Sequence, residues 1–232
     1  MIAFRKKYRQ FRLTCFFVIP FTLSLSIHSL CFAGYWSQTA PDKINRTLHT
    51  ATLLPDGKVL VTGGTIDGTA AISSATVYYP FTNSWTEIPA LNNARYNHTA
   101  LLLNSGQVLV TAGRPGTGYL GSSEMYDFYT NSWTVLSSSI TARAQHTMNL
   151  LPTGKVLVCG GTNGSALSET NLFTPPDTWE IVASTMNTAR YKHSAITLSD
   201  GRVLATGGYS ATILSSNETY SPTWVNINSN AY

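Results

Sequence analysis

Arginine and histidine recur together along this sequence, and their side chains could support chemistry. Each arginine is followed three positions later by a histidine, in the pairs Arg46 and His49, Arg95 and His98, Arg143 and His146, and Arg190 and His193. Imidazole groups could bind a metal, and guanidinium groups could hold carboxylates or sugars. The arginines are spaced by 49, 48 and 47 residues, so each pair belongs to one copy of an internal repeat.

The repeat decides how these side chains are interpreted. A metal needs ligands that converge on one point, whereas equivalent positions of successive repeats are spread apart. We therefore expect no metal site, and we expect each histidine to tie the inner strand of its repeat to a neighbouring turn. Two interpretations of the arginines stay open. They could line a ligand-binding face, or they could bond to backbone carbonyl groups and acids within the scaffold.

Glycine and tryptophan recur at the same period. The glycines are Gly63, Gly64, Gly113, Gly160, Gly161, Gly207 and Gly208, and the tryptophans are Trp85, Trp133, Trp179 and Trp224. Within each period, short apolar or alternating segments are separated by turn sequences such as Asp56-Gly57, which predicts four short strands and no helix. Four-stranded units that repeat about every 48 residues are typical of β-propeller blades.

The repeats resemble kelch repeats, in the subtype found in the central domain of galactose oxidase-like proteins. The resemblance is carried by Pro-Asp-Gly-Lys-Val-Leu-Val-Thr-Gly-Gly at 55–64, Thr-Asn-Ser-Trp at 82–85 and 130–133, and Ala-Arg-x-x-His at 94–98, 142–146 and 189–193. It implies an all-β kelch-type propeller with four four-stranded blades, at about 46–94, 95–142, 143–189 and 190–232. Such a resemblance indicates a fold and not an activity.

An additional fourth-strand pattern precedes the first repeat. Trp36 lies 49 residues ahead of Trp85, which predicts a lead-in strand that has no partners in its own repeat. Kelch propellers usually close with six or seven blades, so the resemblance implies part of a larger propeller, shortened at its C-terminus. A compact four-bladed ring, with Trp36 covering an edge, is the alternative. An open arc would favour self-association through its exposed blades.

The first 33 residues have the organisation of an export signal. Five of the fifteen basic residues lie in the first twelve positions, an apolar stretch runs from Cys15 to Leu30, and Ala33 follows as a small residue at the predicted cleavage site. Cleavage there would leave residues 34–232 as the propeller domain, with no stable membrane span and a formal charge of −1 from ten basic and eleven acidic residues. An uncleaved anchor is the alternative, because the apolar stretch could just span a bilayer.

These features predict a secreted protein, extracellular or periplasmic, that does not bind nucleic acid. The loops between second and third strands differ most between repeats, so we expect ligand specificity there. With the four arginines, the candidate ligand-binding residues are Arg46, Arg95, Arg143, Arg190, Arg114, Tyr119 and Tyr209, and Asp67 is a further exposed loop residue.

A binding module for a protein or glycan fits this composition best, because only 11% of residues are charged while Tyr, Trp, Ser and Asn are abundant. No catalytic triad, phosphate loop or Cys-x-x-Cys motif occurs, and we expect no catalytic residue and no cofactor. Cys159 is interpreted as a small buried residue. The resemblance leaves two alternatives: a sugar-active enzyme, either epimerase-like or a degenerate galactose oxidase, and a structural fragment of a larger propeller.

Overall fold

The structure, a computed structural model, describes residues 35–222, and all regular elements in this range are β-strands. The described residues divide into two units, 35–38 and 39–222. Residues 35–38 carry no strand. Within residues 35–222 we find no helix with the length and apolar character needed to cross a membrane.

The strands form four antiparallel sheets, one for each repeat, and we number these blades 1 to 4 in chain order. Blade 1 contains β1 (Thr50–Leu53), β2 (Val59–Thr62), β3 (Ala75–Tyr79) and β4 (Ser84–Ile88). Blade 2 contains β5 (Thr99–Leu102), β6 (Val108–Thr111), β7 (Ser123–Asp127) and β8 (Ser132–Val135). Blade 3 contains β9 (Thr147–Leu150), β10 (Val156–Cys159), β11 (Thr170–Thr174) and β12 (Thr178–Val182). Blade 4 contains β13 (Ser194–Thr197), β14 (Val203–Thr206) and β15 (Asn217–Tyr220).

Each blade is a meander in which consecutive strands pair, as the turn sequences predict. In blade 1, Leu53 opposes Val59 across a turn where Gly57 has a φ of 82°. Glycine tolerates this left-handed backbone conformation without the clash that a Cβ atom would cause. The pairing of Tyr78 with Trp85 then aligns β3 with β4. The predicted second strand at residues 59–62 is confirmed as β2.

The hydrophobic core lies between blades and not within them. One cluster joins Leu60 of blade 1 to Val108 and Tyr126 of blade 2, and a second joins Leu109 of blade 2 to Phe173 of blade 3. Strands β6 and β10 are buried along their whole length because a sheet packs on each of their faces. Burial on both faces explains their uninterrupted apolar sequences. Each inner blade therefore depends on both neighbours for its packing.

The fold class is confirmed, and the structure adds three details. The inner strands β1, β5, β9 and β13 contact one another in series, but over the described residues the blades do not close into a ring. The lead-in strand predicted around Trp36 does not form, since residues 35–41 carry no strand and the Trp36 side chain is fully exposed. The export signal at 1–33 and the fourth strand predicted at Trp224 lie outside the described residues.

Candidate functional site

The arginine of each repeat is a buried structural node, as blade 2 shows. Arg95 is fully buried, and its Nη1 donates to the carbonyl oxygens of Ala112 at 2.8 Å and Ser122 at 2.9 Å. Its Nη2 lies 2.8 Å from Oε1 of Glu124, which is also fully buried. Glu124 in turn accepts from the backbone N–H of Asn92 at 2.7 Å. Arg95 therefore ties the segment before β5 to β6 and β7.

The same arrangement recurs in blades 3 and 4. Arg143 donates to the carbonyl oxygen of Gly160 and pairs with Glu169, and Arg190 donates to the carbonyl oxygen of Gly207 and pairs with Glu218. Both arginines are fully buried. In blade 1, Arg46 donates to the carbonyl oxygens of Gly63 and Ser74, but its carboxylate partner is Asp42, 3.1 Å from Nε.

This placement decides between the two interpretations of the repeated arginines. The guanidinium groups of Arg95, Arg143 and Arg190 are enclosed by their own blades, so they do not line a face that a ligand could reach. The Arg46 side chain is enclosed in the same way. The prediction of four ligand-binding arginines is thus not supported, because the hydrogen-bonding capacity of each group is directed into the scaffold.

The histidines join neighbouring blades. Nε2 of His98 lies 2.9 Å from Oγ1 of Thr50 on the preceding blade, and the same contact joins His146 to Thr99 at 2.7 Å and His193 to Thr147 at 3.0 Å. Burial lowers the pKa of His98 to about 3 and that of His193 to about 4, so these rings are neutral at physiological pH. His49, which follows no described blade, is exposed.

The residues that directly precede the repeat histidines are linked by backbone hydrogen bonds from blade to blade, at the inner ends of the blades. Leu48, Asn97, Gln145 and Lys192 all have positive φ, at 56°, 52°, 57° and 53°. The N–H groups of Asn97, Gln145 and Lys192 donate to the carbonyl oxygen of the counterpart on the preceding blade, at 3.1 Å, 3.0 Å and 3.0 Å. Non-glycine residues rarely adopt this conformation, which costs on the order of 1 kcal/mol or more each. We call these four residues the axial residues, because they adjoin the inner strands.

A cleft of about 250 Å³ opens beside the axial residues of blades 3 and 4. Blade 3 contributes small residues to its lining, Ala144, Thr162 and Gly164, while the flanking blades contribute the large side chains of Arg114, Tyr119, Tyr191 and Lys192. The concave shape follows from this difference in side-chain size between repeats. Its lining contains two cations and no carboxylate.

Arg114 differs from the four repeated arginines. Its guanidinium carbon lies 5.2 Å from the ring centre of Tyr119 and 5.8 Å from that of Tyr96, within the range of cation–π attraction. Its Nε is buried and has no hydrogen-bond partner among the described residues. A buried N–H group without a partner is costly. Of the loop residues predicted from sequence, Arg114 and Tyr119 are brought together in this cleft.

The other two predicted loop residues have more local roles. Tyr209 packs edge-on against Tyr191, with ring centres 5.4 Å apart, and so supports one wall of the cleft. Asp67 accepts from the backbone N–H groups of Thr69 at 2.8 Å and Ala70 at 2.7 Å. These bonds lower the pKa of Asp67 to about 2 and show that it organises its own loop.

Two candidate reactive groups are also placed. Cys159 is buried, and burial raises the pKa of its thiol to about 12, so it is not a thiolate at neutral pH. Among residues 35–222, no three His, Cys, Asp or Glu side chains are grouped so that they could hold a metal ion. The repeated histidines are held one to each interface between blades, which keeps them apart.

The sequence matches the KLHDC2/KLHL20/DRC7 Kelch-repeats domain family over residues 32–221. The chain belongs to the kelch-repeat family. A kelch-repeat propeller is generally a protein-interaction module, which is the part of the predicted function that the family supports. No curated protein matches the sequence.

Kelch-repeat architecture is also shared with a solved structure described as "Structure of YjhT". The two align with a TM-score of 0.64 and 17% sequence identity, over 75% of this chain and 63% of the YjhT chain. This chain therefore spans less than two thirds of that structure. At this identity the likeness extends to the fold alone.

Sequence reasoning missed the axial residues Gln145 and Lys192, although both occupy the variable part of the Arg-x-x-His pattern. The signal that could have found them is variation inside an otherwise regular repeat. A position that differs in every blade of a regular scaffold is free to serve a ligand. Two residues of the candidate site therefore lie inside the Arg-x-x-His pattern that identifies the repeat.

Proposed function

We propose that this kelch-repeat chain is an exported interaction module whose cleft binds a carboxylate-bearing segment of a protein or glycan. The observation that carries the proposal is the lining of the cleft, in which Arg114 and Lys192 meet no carboxylate among the described residues. Arginine binds carboxylates through paired donors in a fixed planar fork, so Arg114 favours this class of ligand.

The charge of the cleft supports an anionic ligand. Arg114 lines the cleft from blade 2 and the exposed Lys192 lines it from blade 4, while no acidic side chain of the described residues contributes to the lining. Two cations that converge on a partly enclosed cleft raise the local concentration of anions. An uncharged ligand would leave the Arg114 donors without a strong acceptor, so the cleft favours carboxylates over neutral groups.

The aromatic walls support binding of an extended segment. Tyr119 stands beside Arg114, and Tyr191 is fixed by its contact with Tyr209. Tyrosine offers a large rigid contact surface and a hydroxyl group, which suits both peptide groups and sugar rings. Because each wall belongs to a different blade, the rigid scaffold holds the two cations at a fixed separation.

Binding receives more support than catalysis. Among the residues that line the cleft there is no histidine, cysteine or carboxylate that could act as a general base. The proposed export rests on the basic and apolar organisation of residues 1–33. A sugar-active enzyme is therefore not proposed for this cleft, whereas an acidic glycan remains within the class of proposed ligands.

The proposal is tested with two labelled probes, a glutamate-rich hexapeptide and an oligosaccharide of uronic acids, each compared with its neutral amide. We expect the acidic form of at least one probe to bind, and we expect the Arg114→Gln, Lys192→Gln double variant to bind it at least about tenfold more weakly, because charge-assisted bonds contribute roughly 1.5–3 kcal/mol each. Fluorescence anisotropy measures both dissociation constants.

The matched control is the Lys58→Gln, Arg202→Gln double variant, which removes the same charge at two surface positions that form ion pairs with Asp56 and Asp200. It should bind like the wild type. Equal weakening in both double variants would show non-specific attraction, and equal binding of acidic and neutral probes would overturn the carboxylate assignment.

A further inference from the structure

The three interfaces between the blades are built from the same set of hydrogen bonds. The first bond joins successive axial residues through their backbones. The second runs from the second glycine of one blade to the carbonyl oxygen of the next blade's arginine: Gly64 to Arg95 at 2.9 Å, Gly113 to Arg143 at 2.8 Å and Gly161 to Arg190 at 2.9 Å. The third joins histidine to threonine, and the fourth runs from the arginine N–H to a loop carbonyl oxygen of the preceding blade, such as Leu167.

Blade 1 presents one half of this set on its outer side, which we call the leading face. It consists of the backbone of Arg46 and Leu48 and the side chain of His49. Among the described residues, the N–H groups of Arg46 and Leu48 have no backbone acceptor, and Nε2 of His49 has no hydrogen-bond partner. The corresponding groups of blades 2, 3 and 4 are all bonded to a preceding blade.

Blade 4 presents the other half, which we call the trailing face. It consists of the carbonyl oxygens of Lys192 and Leu214, the N–H of Gly208 and the side chain of Ser194. Ser194 occupies the position of Thr147 and is exposed. Over residues 35–222 the Gly208 N–H has no carbonyl partner, whereas Gly161 has one. Each donor of one face thus corresponds to an acceptor of the other.

Shape and apolar surface agree with this correspondence. A Cβ atom added at Gly160 would lie 2.5 Å from the carbonyl oxygen of Arg190, whereas at Gly207 the nearest atom of the described residues would be 3.6 Å away. Within residues 35–222, the space that the next arginine fills in blade 3 is therefore open in blade 4. Ile196 is 62% exposed on β13, while the equivalent Asn149 is only 7% exposed because blade 4 covers it.

We propose that the trailing face of blade 4 receives the leading face of blade 1 from a second copy of this chain. The association is head-to-tail, and it repeats the bonds already present at three interfaces. Ser194 takes the place of threonine against His49, Gly208 donates to the carbonyl oxygen of Arg46, and Leu48 donates to the carbonyl oxygen of Lys192. Such heterologous contacts either close into a ring or extend. The trailing face shares only Lys192 with the cleft, and it uses the backbone carbonyl of that residue and not its side chain, so the inference goes beyond the proposed function.

The test is sedimentation velocity of the purified chain over a range of concentrations. We expect the mass to rise above the 25.2 kDa of one copy as the concentration increases. The variant Ile196→Arg should stay at one copy, because it would place an unpaired charge at a contact that the incoming blade buries. A shift of the apparent dissociation constant by at least about a hundredfold is expected for such a block.

The matched control is Ile181→Arg, which introduces the same charge on β12, where the side chain is 70% exposed. It should associate like the wild type. A second block, Ser194→Tyr, would fill the space that the incoming His49 ring requires, and Ser194 is exposed in one copy, so the substitution leaves the blade itself intact. Two outcomes would overturn the proposal: a wild type that stays at one copy, and association that both blocking variants leave unchanged. A wild type that stays at one copy would indicate that the two faces bind blades other than those of a second copy.

Discussion

Blades 1 and 2 carry the same repeat landmarks in different surroundings. His98 is 5% exposed and bonds to Thr50 of blade 1, whereas His49 occupies the same repeat position and is exposed. Arg95 pairs with the fully buried Glu124, whereas Arg46 pairs with Asp42, which solvent reaches. The comparison shows that a landmark residue becomes structural only when a neighbouring blade or a buried partner completes its environment.

The largest expected effect comes from removing the buried cation of blade 2. Arg95→Ala leaves Glu124 buried without its counter-ion, which costs about 3–5 kcal/mol, whereas Arg46→Ala should cost markedly less because Asp42 remains accessible to water. Urea unfolding of both variants measures the difference. The double variant Arg95→Ala, Glu124→Gln should recover part of the loss, and equal losses for Arg46 and Arg95 would contradict the distinction.

Acidification should lower the free energy of unfolding through the buried histidines more than through the exposed His49. The folded state holds His98, His146 and His193 neutral because burial lowers their pKa values, while the unfolded chain takes up protons below about pH 6.5. Stability is therefore complete above pH 6.5 and falls as the pH decreases towards 4. Each buried histidine should account for about 2 kcal/mol by pH 5.

The measurement is the urea midpoint at pH 7 and pH 5. His98→Gln should reduce the pH dependence by one histidine's contribution, and His49→Gln should reduce it less because that ring is exposed. The carboxylates contribute little in this window, because carboxyl groups of the unfolded chain take up protons mainly below about pH 5. In the folded state the pKa values of Asp67 and Asp177 are lowered to about 2. Identical pH dependence in the wild type and His98→Gln would show that the ring is not held neutral by burial.

The smallest effect extends the comparison to blades 2 and 3. Trp133 donates from Nε1 to the carbonyl oxygen of Pro89 at 2.8 Å, while the equivalent Nε1 of Trp179 is buried without a partner among the described residues. Trp133→Phe should therefore cost about 1 kcal/mol more than Trp179→Phe. Thermal unfolding of the two variants provides the measurement. A larger loss for Trp179→Phe would indicate that its N–H is satisfied in solution.

The sequence determined much of the fold because each strand has local signals. Asp56-Gly57 and the apolar run at 59–62 place a turn and a buried strand without any tertiary information. The prediction of a lead-in strand at Trp36 was wrong, because a strand needs a neighbouring strand to supply its hydrogen bonds. A short pattern match cannot show whether such a neighbour is present.

The candidate site was less predictable, for a different physical reason. Arg95 and Arg114 are the same residue type, and only their surroundings separate a guanidinium enclosed by carbonyl groups from one beside two tyrosine rings. Sequence variation marked Arg114 and Tyr119 as loop residues, but not that small side chains in blade 3 would leave a cleft between them and Lys192. Concavity arises from differences between repeats, which a search for similarities overlooks.

The axial residues have a consequence for how this protein can diversify. Their bonds to one another use only backbone atoms, so the side chains of Leu48, Asn97, Gln145 and Lys192 are interchangeable as far as the scaffold is concerned. Proline is excluded because it lacks the N–H group and cannot adopt positive φ, and β-branched residues are disfavoured because they tolerate positive φ poorly. Each of the four side chains can therefore be substituted independently of the other three. New recognition can therefore arise by substitution alone, without insertion or refolding of a loop.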